Sequence, residues 1–267
     1  MNKNTYGVSL LIALGLSAAG SAQATPIILT SPGSTYTQDF DTLAHLGSST
    51  TNTALPAGWA IAESGGTRAN QAYAIGTGSG QTGDTYSYGE AGSTERALGS
   101  LSSGMLIPMF GAEFINDTGA TITQLDIAFT GELWRLGTAA RADKLAFQYS
   151  TDATSLTTGT YLDFSALDFE TPNMTGTGAK DGNAKGNFEY INATITGLDI
   201  AAKSTFWIRW SDIDAGGAND GLAIDNFSLT AQGALAQASL AVPEPGSLAL
   251  ASIALVGLLT TRRRNRR

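Results

Sequence analysis

The stretch Ala112-Glu113-Phe114-Ile115-Asn116-Asp117-Thr118-Gly119-Ala120-Thr121-Ile122-Thr123-Gln124-Leu125-Asp126-Ile127-Ala128-Phe129 decides the fold class. Two apolar-rich runs flank Asn116-Asp117-Thr118-Gly119, a cluster of residues that favour tight turns. In the second run Leu125, Ile127 and Phe129 alternate with polar or small residues, the period of a strand with one buried face. Residues 144–149 repeat the alternation, as do 193–200, 205–210 and 223–229. Thr, Tyr, Phe and Ile suit a pleated, half-buried surface. The body shows no extended helical stripe, and 32 glycines disfavour long helices. The pattern predicts an all-β body of two packed antiparallel sheets. Two Gly/Ser/Thr-dense stretches, 63–104 and 173–186, lack the alternation and are expected to be surface loops, where binding residues tend to sit. Within the first, Gly76-Thr77-Gly78-Ser79-Gly80 is no phosphate loop, because neither Lys-Ser/Thr nor a helix-forming segment follows it.

The two ends differ from the body. Residues 248–259 are all apolar or small, and Arg262, Arg263, Arg264, Arg266 and Arg267 follow. A helix over 247–261 would be about 23 Å long, against about 30 Å for a bilayer core. The Arg block marks a cytoplasmic stop, and Pro243 and Pro245 put the helix start after them. At the other end Lys3, the apolar run 8–19 and Ala22-Gln23-Ala24 form the three regions of an export signal. Signal peptidase would then leave Thr25 as the first mature residue; the alternative is an uncleaved N-terminal anchor. The expected organisation is a signal helix over 1–24, a β-sandwich over 25–232, a linker over 233–242, and a tail over 243–267 with a short transmembrane helix.

The tail resembles the PEP-CTERM sorting signal of Gram-negative, biofilm-forming bacteria. Val242-Pro243-Glu244-Pro245, the apolar run and the Arg cluster carry the resemblance, in that order. It implies export across the inner membrane, a transiently anchored precursor, and cleavage near Pro243-Glu244-Pro245 by an exosortase, a membrane-embedded cysteine transpeptidase. The body would end at the cell surface or in the extracellular matrix.

Composition narrows the chemistry. Cysteine is absent, which removes thiol catalysis and Cys-based metal sites. With Lys3, Glu244 and the five tail arginines set aside, 22 acidic residues face 9 basic ones, a net charge of −13. Such a surface disfavours a phosphate backbone, so no nucleic-acid partner is expected. It is compatible with divalent cations, with neutral sugars, or with a purely solubilising role.

The richest segment is 207–226. Asp212, Asp214, Asn219, Asp220 and Asp225 gather side-chain oxygens among glycines, the hard ligands that Ca²⁺ requires. Their spacing is not that of an EF-hand loop. The alternative is an Asx-rich hairpin whose side chains cap their own backbone. Asp39 and Asp41 flank Phe40, and a closing strand beside an opening one would bring them to Asp225. By strand parity Asp225 shares a face with Ala223, Phe227 and Leu229. Among the rings, Trp134, Trp210, Tyr86 and Tyr88, with Trp59 and Tyr73, are candidates for stacking on a sugar; the alternative for each is core packing. Trp59, following Leu55-Pro56-Ala57-Gly58, is expected to plug the core. Trp207 and Trp210 face opposite sides of their strand, one inward and one exposed, with Arg209 on the side of Trp207. His45, the one histidine, lies in an ordinary segment, and Gly-x-Ser-x-Gly is absent. Glu95, Glu132 and Asp143 show no spacing that selects an acid/base pair.

The body has a resemblance of its own. Phe40-Asp41-Thr42-Leu43, Leu55-Pro56-Ala57-Gly58-Trp59 and Asp220-Gly221-Leu222-Ala223-Ile224-Asp225-Asn226-Phe227 resemble jelly-roll modules of bacterial adhesins and carbohydrate-binding proteins. Gly131-Glu132-Leu133-Trp134-Arg135, Arg141-Ala142-Asp143 and Phe147-Gln148-Tyr149-Ser150 resemble an uncharacterised extracellular domain of PEP-CTERM proteins. The resemblance implies an antiparallel jelly roll, Ca²⁺ with Asp225 among its ligands, and no catalytic residue. The expectation is a non-catalytic surface or biofilm-matrix protein that binds exopolysaccharide. The alternatives are a Ca²⁺-stabilised domain without a ligand and a glycan-acting hydrolase.

Overall fold

The computed structural model describes residues 25–66 and 68–234, and the alternation read from the sequence shapes its long strands. The expected signal segment with Ala22 and Ala24, residues 235–242 of the linker, and the tail with Pro243, Glu244 and Pro245 lie outside the described residues. The strands are β1 (Ile27–Leu29), β2 (Thr35–Gln38), β3 (Trp59–Ser64), β4 (Tyr73–Gly76) and β5 (Asp84–Tyr88). There follow β6 (Ala97–Leu101), β7 (Ile107–Asn116), β8 (Thr121–Leu136), β9 (Lys144–Ser150) and β10 (Leu162–Asp163). The last are β11 (Phe169–Glu170), β12 (Gly178–Ala179), β13 (Phe188–Ile200), β14 (Thr205–Asp212) and β15 (Gly221–Ala234). Among the described residues the one helical segment is the 3₁₀ turn Ser165–Leu167, and no helix is long and apolar enough to cross a membrane.

The strands form an all-β sandwich. A seven-stranded sheet has β7, β14 and β9 at its middle, with β1 and β3 on β7 and β10 and β11 on β9. An eight-stranded sheet runs β12-β8-β15-β6-β5-β4, with β13 also on β8 and β2 also on β15. All pairings are antiparallel except β1 with β7 and β4 with β5, so the expected antiparallel arrangement has two parallel exceptions. The chain changes sheet at each step from β1 to β4, from β6 to β9 and from β13 to β15, the winding of a jelly roll.

Between the sheets lies an aromatic core. Trp210 sits at its centre, with ring centroids 5.1 Å from Phe147, 5.2 Å from Phe129 and 5.9 Å from both Phe110 and Phe227. Trp59 plugs the same core as expected, 5.4 Å from Phe227, with its indole N–H donating to Tyr36 Oη. Trp207 is not exposed. It packs on the outer side of the seven-stranded sheet with Ala153 and Leu156, and Arg209 stacks 3.6 Å above the nearby Tyr161 ring.

Three expectations need correction. The 63–104 stretch is not surface loop throughout: it contributes the strands Tyr73–Gly76, Asp84–Tyr88 and Ala97–Leu101, whose Ser and Thr hydroxyls are buried in hydrogen bonds and not solvated. Thr85 donates to Glu63, Ser100 to Asp212 and Ser87 to the Ala44 carbonyl. The body extends two residues past 232, since β15 ends at Ala234. The parity argument at Asp225 fails, because a bulge between Asp225 and Ser228, with Asn226 at φ 49°, shifts the register against β8. Leu222 and Ile224 enter the core before the bulge and Phe227 and Leu229 after it. Asp225 therefore faces outward, away from Phe227 and Leu229.

Candidate functional site

The outer face of the eight-stranded sheet carries a row of rings. Alternation along β5 puts Tyr86 and Tyr88 on one side, with centroids 4.9 Å apart, and Trp134 of β8 lies parallel to Tyr88 at 6.1 Å. Three of the expected sugar-stacking rings thus come together, but backbone covers them. A Cβ on Gly76 would lie 2.7 Å from Tyr86 Cδ1, and one on Gly182 would lie 2.5 Å from the Trp134 ring, so glycine lets the chain rest on the rings. Relative exposure is 7% at Tyr86, 2% at Tyr88 and 1% at Trp134, while the fourth ring, Trp210, is a core residue at 0%. None of the four offers a face to a sugar. Of the additional candidates, Trp59 and Tyr73 are buried as well.

What remains open beside this row is a groove of about 480 Å³ between segments 45–50, 74–86 and 90–96. Tyr86 borders it, with His45, Leu46, Thr50, Ile75, Thr77, Ser79, Thr82, Asp84 and Glu90. The buried Arg96 fastens its walls. The guanidinium donates to Ser87 Oγ at 2.9 Å, to the Ser87 carbonyl, and to the Glu90 and Gly76 carbonyls at 3.3 Å. Arg135 donates to the Gly78 carbonyl at 3.1 Å and holds the 76–80 turn. Asp84 supplies the unusual chemistry. Its Oδ1 is buried without a hydrogen-bond partner. Burial first, and then the charge of Glu63, push its carboxyl up to about 7. Glu63 is itself committed, accepting from the Thr85 N–H and hydroxyl and from the Asn70 N–H, each at 2.9 Å.

The six expected metal-binding aspartates do not converge. Asp212 and Asp220 are fully buried near Asp143; Asp212 accepts from Ser100 at 2.9 Å, and Asp220 accepts from Gly137 N–H at 2.7 Å and Thr171 Oγ1 at 2.6 Å. Arg141 lies 3.4 Å from Asp143 and 3.7 Å from Asp220. Burial, and then the charge of Asp143, hold the Asp212 carboxyl far above its ordinary value. Asp214 accepts from Gly216 N–H and Asn219 Nδ2, which makes this segment the self-capping Asx hairpin. Asp39 caps Asp41, and Asp41 accepts from the Arg96 N–H at 3.0 Å. Only Asp225 joins a cluster suited to an ion. Its partners are Glu95 and Glu132, with one oxygen from each residue within 4.8 Å of the others. Burial and Asp225 raise Glu132 to about 8; burial, then Glu95, Asp41 and Asp39, raise Asp225 to about 7.

Sequence spacing missed Glu95 and Glu132 as partners of Asp225, because they come from a turn and a neighbouring strand far apart in the chain. The groove had a weak signal in the Gly-rich 76–80 segment. Nothing local singled out Asp84 or Arg96.

Comparison with known proteins identifies the tail. Residues 241–264 match the family described as the PEP-CTERM protein-sorting motif. The chain carries a PEP-CTERM sorting motif. The PEP-CTERM motif indicates an exported, exosortase-processed protein that is transiently anchored at the membrane. No curated protein matches the sequence. Among solved structures, the CBM22-1 xylan-binding domain of Paenibacillus barcinonensis Xyn10C is similar over 77% of this chain and 99% of its own, at 10% identity and a TM-score of 0.36. The CBM22-1-CBM22-2 tandem domain of the same protein is similar over 80% of this chain and 50% of its own, at 10% identity and 0.40. The K2 cleaved adhesin domain of Lys-gingipain is similar over 73% of this chain and 97% of its own, at 16% identity and 0.37. At such identities and scores, what the body of this PEP-CTERM chain does rests on its own geometry.

Proposed function

We propose that this protein is a non-catalytic component of the cell surface or biofilm matrix of a Gram-negative bacterium, and that it binds exopolysaccharide in the groove beside Tyr86. The observation that carries the reading is the open groove with a buried, unpartnered carboxylate oxygen at its wall. Its volume lies within the ordinary range for ligand sites. Its hydroxyls and carboxylates alternate with the apolar Leu46 and Ile75, the mixture that a sugar's hydroxyls and C–H faces complement. A buried acceptor without a donor is costly, and a sugar hydroxyl would relieve Asp84 of that cost. The acidic body favours a neutral glycan over an anionic one.

Binding is favoured over hydrolysis because a glycosidase needs two carboxyl groups that reach the scissile bond. Glu132 and Asp225 have suitably raised values but are buried. Asp84 is paired with Glu63, whose oxygens are already taken. The test is affinity electrophoresis of the full chain through gels containing neutral extracellular polysaccharides. Retardation is expected, weakened about tenfold by Asp84→Asn, a loss typical of a hydrogen bond to a charged group, with no reducing ends released. Failure to bind any polysaccharide would sink the reading, and release of reducing ends would replace it with the hydrolase.

A further inference from the structure

We infer that Glu95, Glu132 and Asp225 form a binding site for a hard divalent cation, with Ca²⁺ the ion that fits. The site is separate from the sugar groove, and neither depends on the other. Glu132 on β8 and Asp225 on β15 lie on the same outer face of adjacent strands, where Ala223 pairs with Glu132 and Asp225 with Thr130. Strand alternation puts Asp225 on this face with Ala223, the bulge at Asn226 then turns Phe227 inward, and the turn before β6 brings Glu95 near both.

Each carboxylate is held through one oxygen by an uncharged N–H. Trp134 Nε1 donates to Glu132 Oε2 at 2.8 Å, Asn183 Nδ2 to Glu95 Oε2 at 2.7 Å and Asn226 Nδ2 to Asp225 Oδ2 at 2.7 Å. Such outer contacts fix the direction of a ligand without neutralising it. Asp225 is 4% exposed, and its other oxygen, Oδ1, is buried without any partner. None of the three is in an ion pair: those among the described residues engage Arg141, Lys144 and Lys203, and Arg96 donates to carbonyls and a hydroxyl while easing the charge of Glu95 from a distance. Carboxylates this close repel one another when ionised, so they either hold protons or share a cation.

An all-oxygen donor set without His or Cys selects hard cations. Ca²⁺–oxygen distances of about 2.3–2.6 Å allow ligands on opposite sides of one ion to stand about 5 Å apart. The 4.8 Å limit of the cluster falls within that span. Three carboxylates supply part of the shell of six to eight oxygens, and water reaches the rest from the half-exposed side at Glu95.

The indole bonded to Glu132 makes the site its own reporter. Tb³⁺ added to the full chain should give luminescence on tryptophan excitation, displaced by Ca²⁺. Ca²⁺ at about 100-fold over its Kd should raise Tm by about 5–10 °C relative to EDTA. Glu95→Gln, at the accessible rim, should weaken both effects at least about tenfold, and Asp225→Asn should abolish them. Trp134→Phe should dim the emission yet retain the Ca²⁺ shift in Tm. Equal midpoints in Ca²⁺ and EDTA together with absent Tb³⁺ emission overturn the inference. So does emission or a shift that E95Q and D225N leave unchanged, because the ion would then sit elsewhere on the acidic surface.

Discussion

Burial and Glu63 lift the Asp84 carboxyl from 3.8 to about 7, and that single shift has a sign. A carboxyl raised on folding binds its proton more tightly in the folded chain than in the unfolded one. Its contribution to stability is complete below about pH 4 and is lost as pH climbs through about 7. Urea midpoints measured in EDTA should therefore fall between pH 4 and 8, and the fall should be shallower in Asp84→Asn. Trp210 offers a second measurement. Removing it leaves a cavity among Phe110, Phe129, Phe147 and Phe227, so Trp210→Ala should cost about 3–5 kcal/mol in chemical denaturation. Trp210→Phe should cost clearly less, because the indole N–H it removes has no partner. The core role of Trp59 was legible from its Pro-Ala-Gly lead-in. That of Tyr86, Tyr88 and Trp134 was not, since the glycines that cover them are distant in sequence and show only as composition.

The long strands announce themselves: β8, β9, β14 and β15 place Leu125, Phe129, Phe147, Trp210 and Leu229 at the period a buried face demands. Short β4, β5 and β6 hide because their polar residues, Thr85, Ser87 and Ser100, are buried against Glu63, Arg96 and Asp212. Binary patterning assumes that polar means wet, and at this edge it does not. The candidate groove lies along those hidden strands, which is why only Tyr86 and the Gly-rich 76–80 segment pointed to it. β15 adds a different failure, since one residue at positive φ reverses the faces of everything after it. Asn226→Gly should be near neutral in backbone terms, whereas Asn226→Val should cost about 1–2 kcal/mol for the left-handed conformation. Circular dichroism melts of the two variants check this, and D225N provides a reference that keeps the bulge.

At the scale of the molecule, β15 is the structural hub of the eight-stranded sheet, paired with β8, β6 and β2. A chain ending at residue 220 lacks that strand and should be digested rapidly by a nonspecific protease. A chain ending at 234 should resist, and equal susceptibility would show that the sheet does not depend on β15. The net charge of −13 outside the ends also predicts a modest rise in Tm between 10 and 150 mM salt, as self-repulsion is screened.

The placement of β15 orders events in time. Strands β2, β6 and β8 cannot be joined until residues 221–234 have followed them out of the membrane, and the sorting motif begins at residue 241, seven residues later. Folding of the body and presentation of its sorting signal are thereby tied to nearly the same moment of translocation. A chain stalled any earlier offers the processing enzyme no tail and the outside world no finished sheet.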